Sequence, residues 1–156
     1  CWYFNKDKRY LDACNKIIKE GLMKSAKKYG RMLAAKPSED MPVSIQLYGD
    51  YASWEGMFWY WEITKDNEIK KFYLKQAEWR CDLKYLMVKV NHRFADYNFA
   101  AYAYYMTGDI SWIKRVARPF KAAFSASNWV IGWVHSMYFI RIAFDNKIIR
   151  DEDVSM

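Results

Sequence analysis

The hexapeptide at positions 104–109 reads Tyr104-Tyr105-Met106-Thr107-Gly108-Asp109, and altered copies of it recur along the chain. The shared pattern is an aromatic ring, two residues, Thr or Asn, Lys or Gly, and then Asp. It is repeated in Trp61-Glu62-Ile63-Thr64-Lys65-Asp66 and in Trp2-Tyr3-Phe4-Asn5-Lys6-Asp7, and a degenerate fourth copy ends at 144–146. Glycine adopts the left-handed conformation that ends many helices, and aspartate caps the helix that follows. Each copy therefore predicts a tight junction between two helices.

The spacing of the copies predicts helix hairpins. Asp7, Asp66 and Asp109 lie 59 and 43 residues apart, which is enough for two helices and their loops. Hydrophobic periodicity and turn residues predict helices over about 8–29, 45–63, 67–90, 94–106, 111–124 and 128–144, with a kink at Pro119. Residues 1–149 are thus predicted to form one all-α domain of antiparallel hairpins. The polar tail, 150–156, is expected to fray.

The predicted helices alternate between two kinds. The first, third and fifth are amphipathic and carry most of the lysines; in the first helix Leu11, Cys14, Ile18 and Leu22 form one stripe. The second, fourth and sixth are aromatic on nearly all sides, as at 57–61 and 100–105. A helix that is apolar on all sides is normally buried. About six helices are therefore expected in an inner aromatic layer and an outer lysine-bearing layer.

Composition restricts the class of protein. The chain has 156 residues, 53% of them hydrophobic and 19% aromatic, which excludes a disordered segment. The net charge of +7 is spread along the chain. It indicates either a solvated surface or attraction to an acidic partner such as a uronic-acid polymer. No nucleic-acid-binding motif accompanies this charge, so nucleic acid is not expected as a partner.

Cysteines, histidines and apolar runs indicate no metal, cofactor or membrane span. Cys1, Cys14 and Cys81 have no CxxC spacing. Two alternatives remain for them, one disulfide or three thiols. His92 and His135 are 43 positions apart and lack a paired acidic motif, and no glycine-rich phosphate loop is present. The longest apolar run, 128–144, is too short and polar to cross a membrane.

The beginning of the chain bears on its origin. It opens at Cys1 without a starting methionine, and no signal peptide is visible. We therefore expect a processed product or a fragment of a longer protein.

The stretch Tyr104-Tyr105-Met106-Thr107-Gly108-Asp109-Ile110-Ser111-Trp112-Ile113 resembles the Y-x-x-T-G-D-x-x-W/Y-L junction of (α/α)-toroid carbohydrate-active enzymes. Trp54-Glu55-Gly56-Met57, ahead of the copy at 61–66, is similar to their inner-helix E-G-x-x-x-Y-x-x-T-G-D stretch. The resemblance implies a glycoside hydrolase or polysaccharide lyase that binds a glycan, and a secreted or periplasmic location. A six-pair toroid needs about twice the helices predicted here, so it also implies a partial toroid completed by a longer chain or an oligomer partner.

The resemblance places the ligand cleft at the N-terminal ends of the inner helices. The matching residues that carry catalytic chemistry are Asp50, Glu55, His92 and Asp96. Those suited to binding a sugar are Tyr48, Trp54, Asn91, Arg93, Tyr97, Trp133 and His135. Carboxylates transfer protons, rings stack on sugars, and amides or arginine bind hydroxyls and uronates.

Each of these residues also has a structural interpretation. Asp50, His92 and Asp96 suit helix caps, and Asp96 could instead pair with Arg93. Glu55 could form a structural ion pair, and His135 could be a hydrogen-bonded core residue. Each tryptophan taken alone suits the core.

Two mechanisms fit these candidates. A hydrolase would use Glu55 or Asp50 as the acid and Asp96 as the base or nucleophile. A lyase acting on uronates would use His92 or a tyrosine as the base, with Asn91 or Arg93 neutralising the substrate carboxylate.

The alternative class is a non-catalytic helical-repeat scaffold that binds a protein or peptide. It requires the candidate residues to be scattered rather than gathered in one concavity.

Overall fold

The computed structural model describes residues 6–29, 50–81, 97–125 and 136–153, and every regular element in these ranges is helical. The elements, in chain order, are α1 (Lys8–Lys16), a π-helical segment (Ile17–Met23), α2 (Lys24–Tyr29), α3 (Asp50–Thr64), α4 (Asn67–Arg80), α5 (Asn98–Thr107), α6 (Ser111–Ser125), α7 (Met137–Asp145) and a 3-10 turn (Asp151–Asp153). The all-α prediction is confirmed for these ranges.

Most predicted helix ends agree closely with the observed ones, but the third helix, predicted over 67–90, ends at Arg80, and the prediction of its end is wrong. The first predicted helix, 8–29, corresponds to the continuous run from α1 through the π-helical segment to α2. The helices α3, α5, α6 and α7 each end one residue later than predicted. Two helices begin later than predicted, at Asn98 for α5 and at Met137 for α7, with Tyr97 and Ser136 as their N-cap residues. The predicted loop around 37–42 lies outside the described residues.

The junction between α3 and α4 explains why the copies of the repeat share one order of residue types. The Thr64 hydroxyl donates to the carbonyl of Tyr60 at 2.8 Å and accepts the backbone N–H of Asp66 at 3.3 Å. The backbone N–H of Lys65 donates to the carbonyl of Trp61 at 2.7 Å. The threonine therefore joins the last turn of one helix to the cap of the next.

The junction between α5 and α6 has the same hydrogen bonds at matching positions. The Thr107 hydroxyl donates to the carbonyl of Ala103 at 2.7 Å and accepts the N–H of Asp109 at 3.2 Å. The N–H of Gly108 donates to the carbonyl of Tyr104 at 2.7 Å. The repeat recognised in the sequence is therefore also a structural repeat.

A left-handed residue occurs at every copy of the repeat within the described ranges. The backbone φ angles are 57° at Lys6, 53° at Lys65, 73° at Gly108 and 56° at Lys147. A positive φ reverses the chain at the helix end and exposes the next residues as a cap. At the fourth, degenerate copy the left-handed residue lies one position beyond the predicted end, and Ile148 rather than aspartate follows it.

Packing divides the chain into two compact units, Cys1–Gln76 and Ala77–Met156, with the boundary inside α4. The prediction of one domain over 1–149 stays a prediction. In the first unit, Trp54 meets Tyr73 edge-on at 4.9 Å between ring centroids. The Tyr60 hydroxyl donates to the Asn15 side chain at 3.2 Å, which joins α3 to α1.

The first helix does not present the stripe expected from its sequence. Ile18 is buried and Leu11 and Leu22 are half-buried, but Cys14 is exposed, so the prediction for Cys14 is wrong. The π-helical segment begins at Ile17 and has more residues per turn than an α-helix. Cys14 lies before this segment, in α1, and is about 60° from Leu11 around the helix axis, at the edge of the stripe.

The second unit is built around an aromatic cluster. Tyr97, Phe120 and Phe139 come from the start of α5, from α6 and from α7, with centroids 5.0–5.7 Å apart. The Asn98 side chain accepts the backbone N–H of Phe139 at 3.1 Å, and the Ser136 hydroxyl accepts that of Tyr97 at 3.3 Å. These bonds fix the start of α5 against the start of α7.

The expected fraying of 150–156 stays a prediction, although part of this tail has regular structure. Residues 151–153 form a 3-10 turn, and the carboxylate of Asp153 lies 2.7 Å from the ammonium of Lys121 on α6. The same carboxylate accepts the backbone N–H of Arg150 at 2.9 Å. This ion pair ties the end of the described chain to α6.

The aromatic helices are not buried on all sides. Trp59 on α3, Tyr105 on α5 and Tyr138 on α7 are exposed, whereas Tyr60 is buried and Tyr104 is half-buried. The prediction of all-round burial is therefore wrong for these helices. Each of these helices exposes one aromatic side chain to solvent, because the neighbouring helices cover only part of its circumference.

Candidate functional site

Four of the predicted site residues lie in the described ranges. Asp50 is the first residue of α3; Trp54 and Glu55 follow on the same helix, and Tyr97 precedes α5 in the other unit. The remaining predicted site residues lie outside the described ranges: Tyr48, Asn91, His92, Arg93, Asp96, Trp133 and His135.

Trp54 belongs to the core of the first unit. Its side chain is 2% exposed and packs against the Tyr73 ring. An enclosed ring of this kind offers no free face to a ligand. This packing agrees with the structural interpretation, in which the tryptophan is a core residue.

Tyr97 is enclosed within the aromatic cluster of the second unit. It is 3% exposed, and its hydroxyl has no hydrogen-bond partner in the part of the chain that the structure describes. Burial raises the pKa of this hydroxyl well above its ordinary value, and the positive charge of Arg80 opposes the shift only in part. The phenol therefore stays protonated near neutral pH and is poorly suited to act as a base.

Arg80, at the end of α4, is a feature that the sequence did not suggest. It is 7% exposed, and its Nε and Nη1 atoms are buried without a hydrogen-bond partner among the described residues. Lysine or arginine near a helix C-terminus is commonly a solvated residue that complements the helix dipole. The local sequence around position 80 does not distinguish a solvated arginine at a helix end from a buried one.

Glu55 and Trp59 form an exposed pair on α3. The Trp59 indole N–H donates to Glu55 Oε1 at 3.4 Å, and 41% of the Trp59 side chain is accessible. The Phe58 ring meets Trp59 edge-on at 5.3 Å between centroids and supports it from the side. We call Glu55 and Trp59 the α3 surface pair.

The carboxylate of the α3 surface pair is available for chemistry. Glu55 forms no ion pair with any residue in the described ranges, whereas Glu62, two turns later, lies 2.8 Å from the ammonium of Lys65. A carboxylate in water beside an indole can accept hydrogen bonds from hydroxyl groups while the ring covers an apolar face. The site prediction included Glu55 but not Trp59, although their i, i+4 spacing places both on one side of a helix.

These observations define a class: in its described ranges the protein is all-α, and its two described helix-to-helix junctions each have a left-handed residue. Comparisons of the chain with protein-family models, with curated proteins and with solved structures each found no match. Among the described residues, no cluster of three or more His, Cys, Asp or Glu side chains is arranged to hold a metal ion. No helix in the same ranges has the length and apolar character needed to span a membrane.

Proposed function

We propose that the chain is part of an (α/α)-toroid carbohydrate-active protein that binds and cleaves a polysaccharide or oligosaccharide. The observation that carries the proposal is the α3 surface pair, in which an exposed carboxylate lies beside an exposed indole on an aromatic-rich helix. The repeated junctions support the same proposal, because they share the threonine and aspartate chemistry of the toroid motif it resembles.

The surface pair is suited to a sugar ring on physical grounds. The C–H groups on one face of a pyranose are apolar and pack on an indole, while its hydroxyl groups need hydrogen-bond acceptors at the edge. Glu55 supplies two carboxylate oxygens next to the Trp59 ring. Because Trp59 is held by Phe58 as well as by Glu55, little ordering remains to be done when a ligand binds.

Cleavage would follow one of two routes. In hydrolysis, Glu55 in its acid form gives a proton to the leaving glycosidic oxygen while a second carboxylate, for which Asp50 and Asp96 are the candidates, activates water or attacks the anomeric carbon. In elimination from a uronate, a base such as His92 removes the proton from the carbon next to the carboxylate, the C–O bond to the leaving sugar breaks as the carbon–carbon double bond forms, and the departing oxygen takes a proton from water.

The test is to incubate the protein with neutral and uronate polysaccharides and to measure both new reducing ends and ultraviolet absorbance. Both routes produce reducing ends, but only elimination produces the absorbing double bond. Glu55→Gln should lower the hydrolytic rate about hundredfold or more. Trp59→Ala should weaken binding roughly three- to tenfold.

Matched controls are available in the same chain. Glu62→Gln removes another exposed carboxylate from α3, and Tyr105→Ala removes another exposed ring, on α5. Neither control should change the reaction. If no polysaccharide is bound or cleaved, or if the controls lose as much as Glu55→Gln and Trp59→Ala, the proposal fails.

One observation favours the alternative, a non-catalytic helical-repeat scaffold that binds a protein or peptide. Tyr10 on α1 and Ile17 at the start of the π-helical segment are exposed large apolar residues on either side of the exposed Cys14. An exposed apolar stripe of this kind suits a partner helix. In that case Glu55→Gln would be silent, while Ile17→Ser would weaken association with an amphipathic helical peptide measured by calorimetry.

A further inference from the structure

The first unit contains a groove that is rich in lysine and lies between the first helical run and α4. Its volume is about 580 Å³. We call it the lysine groove and define it by the residues that line it: Lys19, Met23, Lys24, Ala26, Lys27, Glu68, Phe72, Lys75 and Gln76. It is separate from the α3 surface pair, since neither Glu55 nor Trp59 lines it.

One of the four lysines is already neutralised within the fold. The Lys19 ammonium lies 2.8 Å from the Glu68 carboxylate and 3.2 Å from that of Asp66, and these contacts raise its pKa. Lys19 therefore joins the π-helical segment to the start of α4. Its contribution to the groove is structural.

The other three lysines keep their positive charge available. Lys24, Lys27 and Lys75 are exposed, and none of them forms an ion pair with a described residue. Lys24 and Lys27 are three positions apart on α2, so they lie on the same side of that helix, and Lys75 faces the groove from α4. Like charges held on two sides of one groove repel each other unless an anion lies between them.

The deeper part of the groove is mostly apolar. Met23 and Phe72 are half-buried, and Ala26 and Gln76 are buried, so three apolar side chains and one amide lie behind the lysines. A ligand that fits both parts must carry separate negative charges along a body that has apolar faces.

We propose that the lysine groove binds an acidic polysaccharide whose uronate carboxylates pair with Lys24, Lys27 and Lys75. A uronic-acid chain carries one carboxylate on each charged ring and packs the apolar faces of its sugars on Met23 and Phe72. Nucleic acid fits less well, because the lining contains one aromatic ring, Phe72, whereas single strands stack successive bases on several rings. A membrane surface fits less well because it is flat, whereas this surface is concave.

The test compares two variants with equal net charge. Lys24→Gln/Lys27→Gln/Lys75→Gln changes the groove, whereas Lys8→Gln/Lys16→Gln/Lys71→Gln removes three exposed lysines of the same unit that do not line it. Binding to polygalacturonate is measured by calorimetry at rising salt, with dextran as the neutral polymer. The groove variant should bind polygalacturonate about tenfold more weakly or worse, and the control variant within about twofold of wild type.

Several outcomes overturn the proposal. Equal losses in the two variants would mean that only the net charge acts, and binding that is insensitive to salt would exclude ion pairs. Binding of single-stranded DNA as tight as that of polygalacturonate, with the same loss in the groove variant, would assign the groove to nucleic acid. All six lysines are exposed, so unchanged circular dichroism and melting temperature are expected; if the groove variant unfolds, Lys24→Gln and Lys75→Gln are measured singly.

The result is independent of the proposed catalytic function. The groove variant should lose polygalacturonate binding whether or not any polysaccharide is cleaved. A failure to detect cleavage therefore leaves the groove result standing, and a failure of groove binding leaves the test of Glu55 intact.

Discussion

At the scale of single residues, the left-handed positions at the junctions carry a conformational cost that differs between copies. Lysine occupies three of the four positions in the described ranges, and glycine only one. For a residue with a Cβ atom the left-handed conformation costs roughly 1–2 kcal/mol. At Lys65 part of this cost is offset, because its ammonium lies 2.8 Å from Glu62 and 4.5 Å from the Trp61 ring centroid.

The first prediction uses two junctions where no such contacts intervene. Gly108→Ala should lower the free energy of unfolding by about 0.5–1 kcal/mol, and Lys147→Gly should raise it by about 0.5 kcal/mol. A Cβ atom at Gly108 would meet nothing within 4 Å, so the loss there is conformational and not steric. Urea unfolding followed by circular dichroism measures both changes, and a shift of the same sign in the two variants would contradict the explanation.

The buried arginine leads to the second prediction. An ionised group buried without a partner is costly, and an apolar side chain of similar length removes that cost. Arg80→Met should therefore leave the free energy of unfolding unchanged or raise it. If Arg80 were instead paired in solution, the same substitution would leave its partner unpaired and destabilise the protein by about 3–5 kcal/mol. Arg115→Met, which breaks a more exposed pair with Glu78, is the comparison.

At the scale of elements, the aspartate of each junction starts the next helix. The Asp66 carboxylate accepts the backbone N–H of Glu68 at 2.8 Å and that of Ile69 at 3.3 Å. Partial burial raises the pKa of Asp66, but these hydrogen bonds and the Lys19 ammonium outweigh it, so the pKa lies below the ordinary 3.8. The charged carboxylate is thus the form that stabilises the start of α4.

The third prediction concerns the acid sensitivity of this cap. Asp66→Ala should lower the free energy of unfolding by about 1 kcal/mol at pH 7. A carboxylate with a lowered pKa in the folded state stabilises above its unfolded pKa and loses that effect as the pH falls through the folded value. The difference between wild type and variant should therefore shrink below about pH 4.

Urea unfolding at pH 7 and pH 3 measures the difference for Asp66→Ala. Asp12→Ala, a change on the exposed side of α1, should cost less than about 0.5 kcal/mol and serves as the control. A deficit for Asp66→Ala that is equally large at both pH values would show that the charge of the cap is not what matters.

At the scale of the whole molecule, the two free cysteines of the described ranges differ in exposure and therefore in reactivity. Cys14 is exposed on α1, and Cys81 is 5% exposed in the second unit. Burial raises the pKa of the Cys81 thiol to about 12, so almost no thiolate is present near neutral pH. Only opening of the fold around it makes Cys81 reactive.

The fourth prediction follows from this contrast. Iodoacetamide at pH 8 should alkylate Cys14 about a hundredfold faster than Cys81 or more, and urea should remove the difference at the unfolding midpoint. Peptide mass spectrometry separates the two sites from each other and from Cys1. Similar rates at both cysteines in the absence of urea would show that the second unit opens readily.

Glu55 and Trp54 show why the fold could be predicted further than the site. The helix ends follow from the junction residues, whose hydrogen bonds reach at most four positions along the chain. The two side chains are neighbours in sequence, but an α-helix turns about 100° per residue, so one is buried and the other exposed. Since α3 carries large apolar residues on all sides, nothing in its own pattern indicates which side other helices cover.

The amino-acid sequence by itself determined the helical class and the two described junctions, with the ends of the helices that meet there, because these depend on backbone hydrogen bonds and left-handed residues within one turn of the chain. Only the tertiary structure decided that Trp59 is exposed and Trp54 buried, that Arg80 is enclosed, and that lysines from α2 and α4 share one groove. Burial and proximity depend on the surrounding elements, which are distant along the chain. A local sequence pattern therefore does not show which of those elements lie nearby.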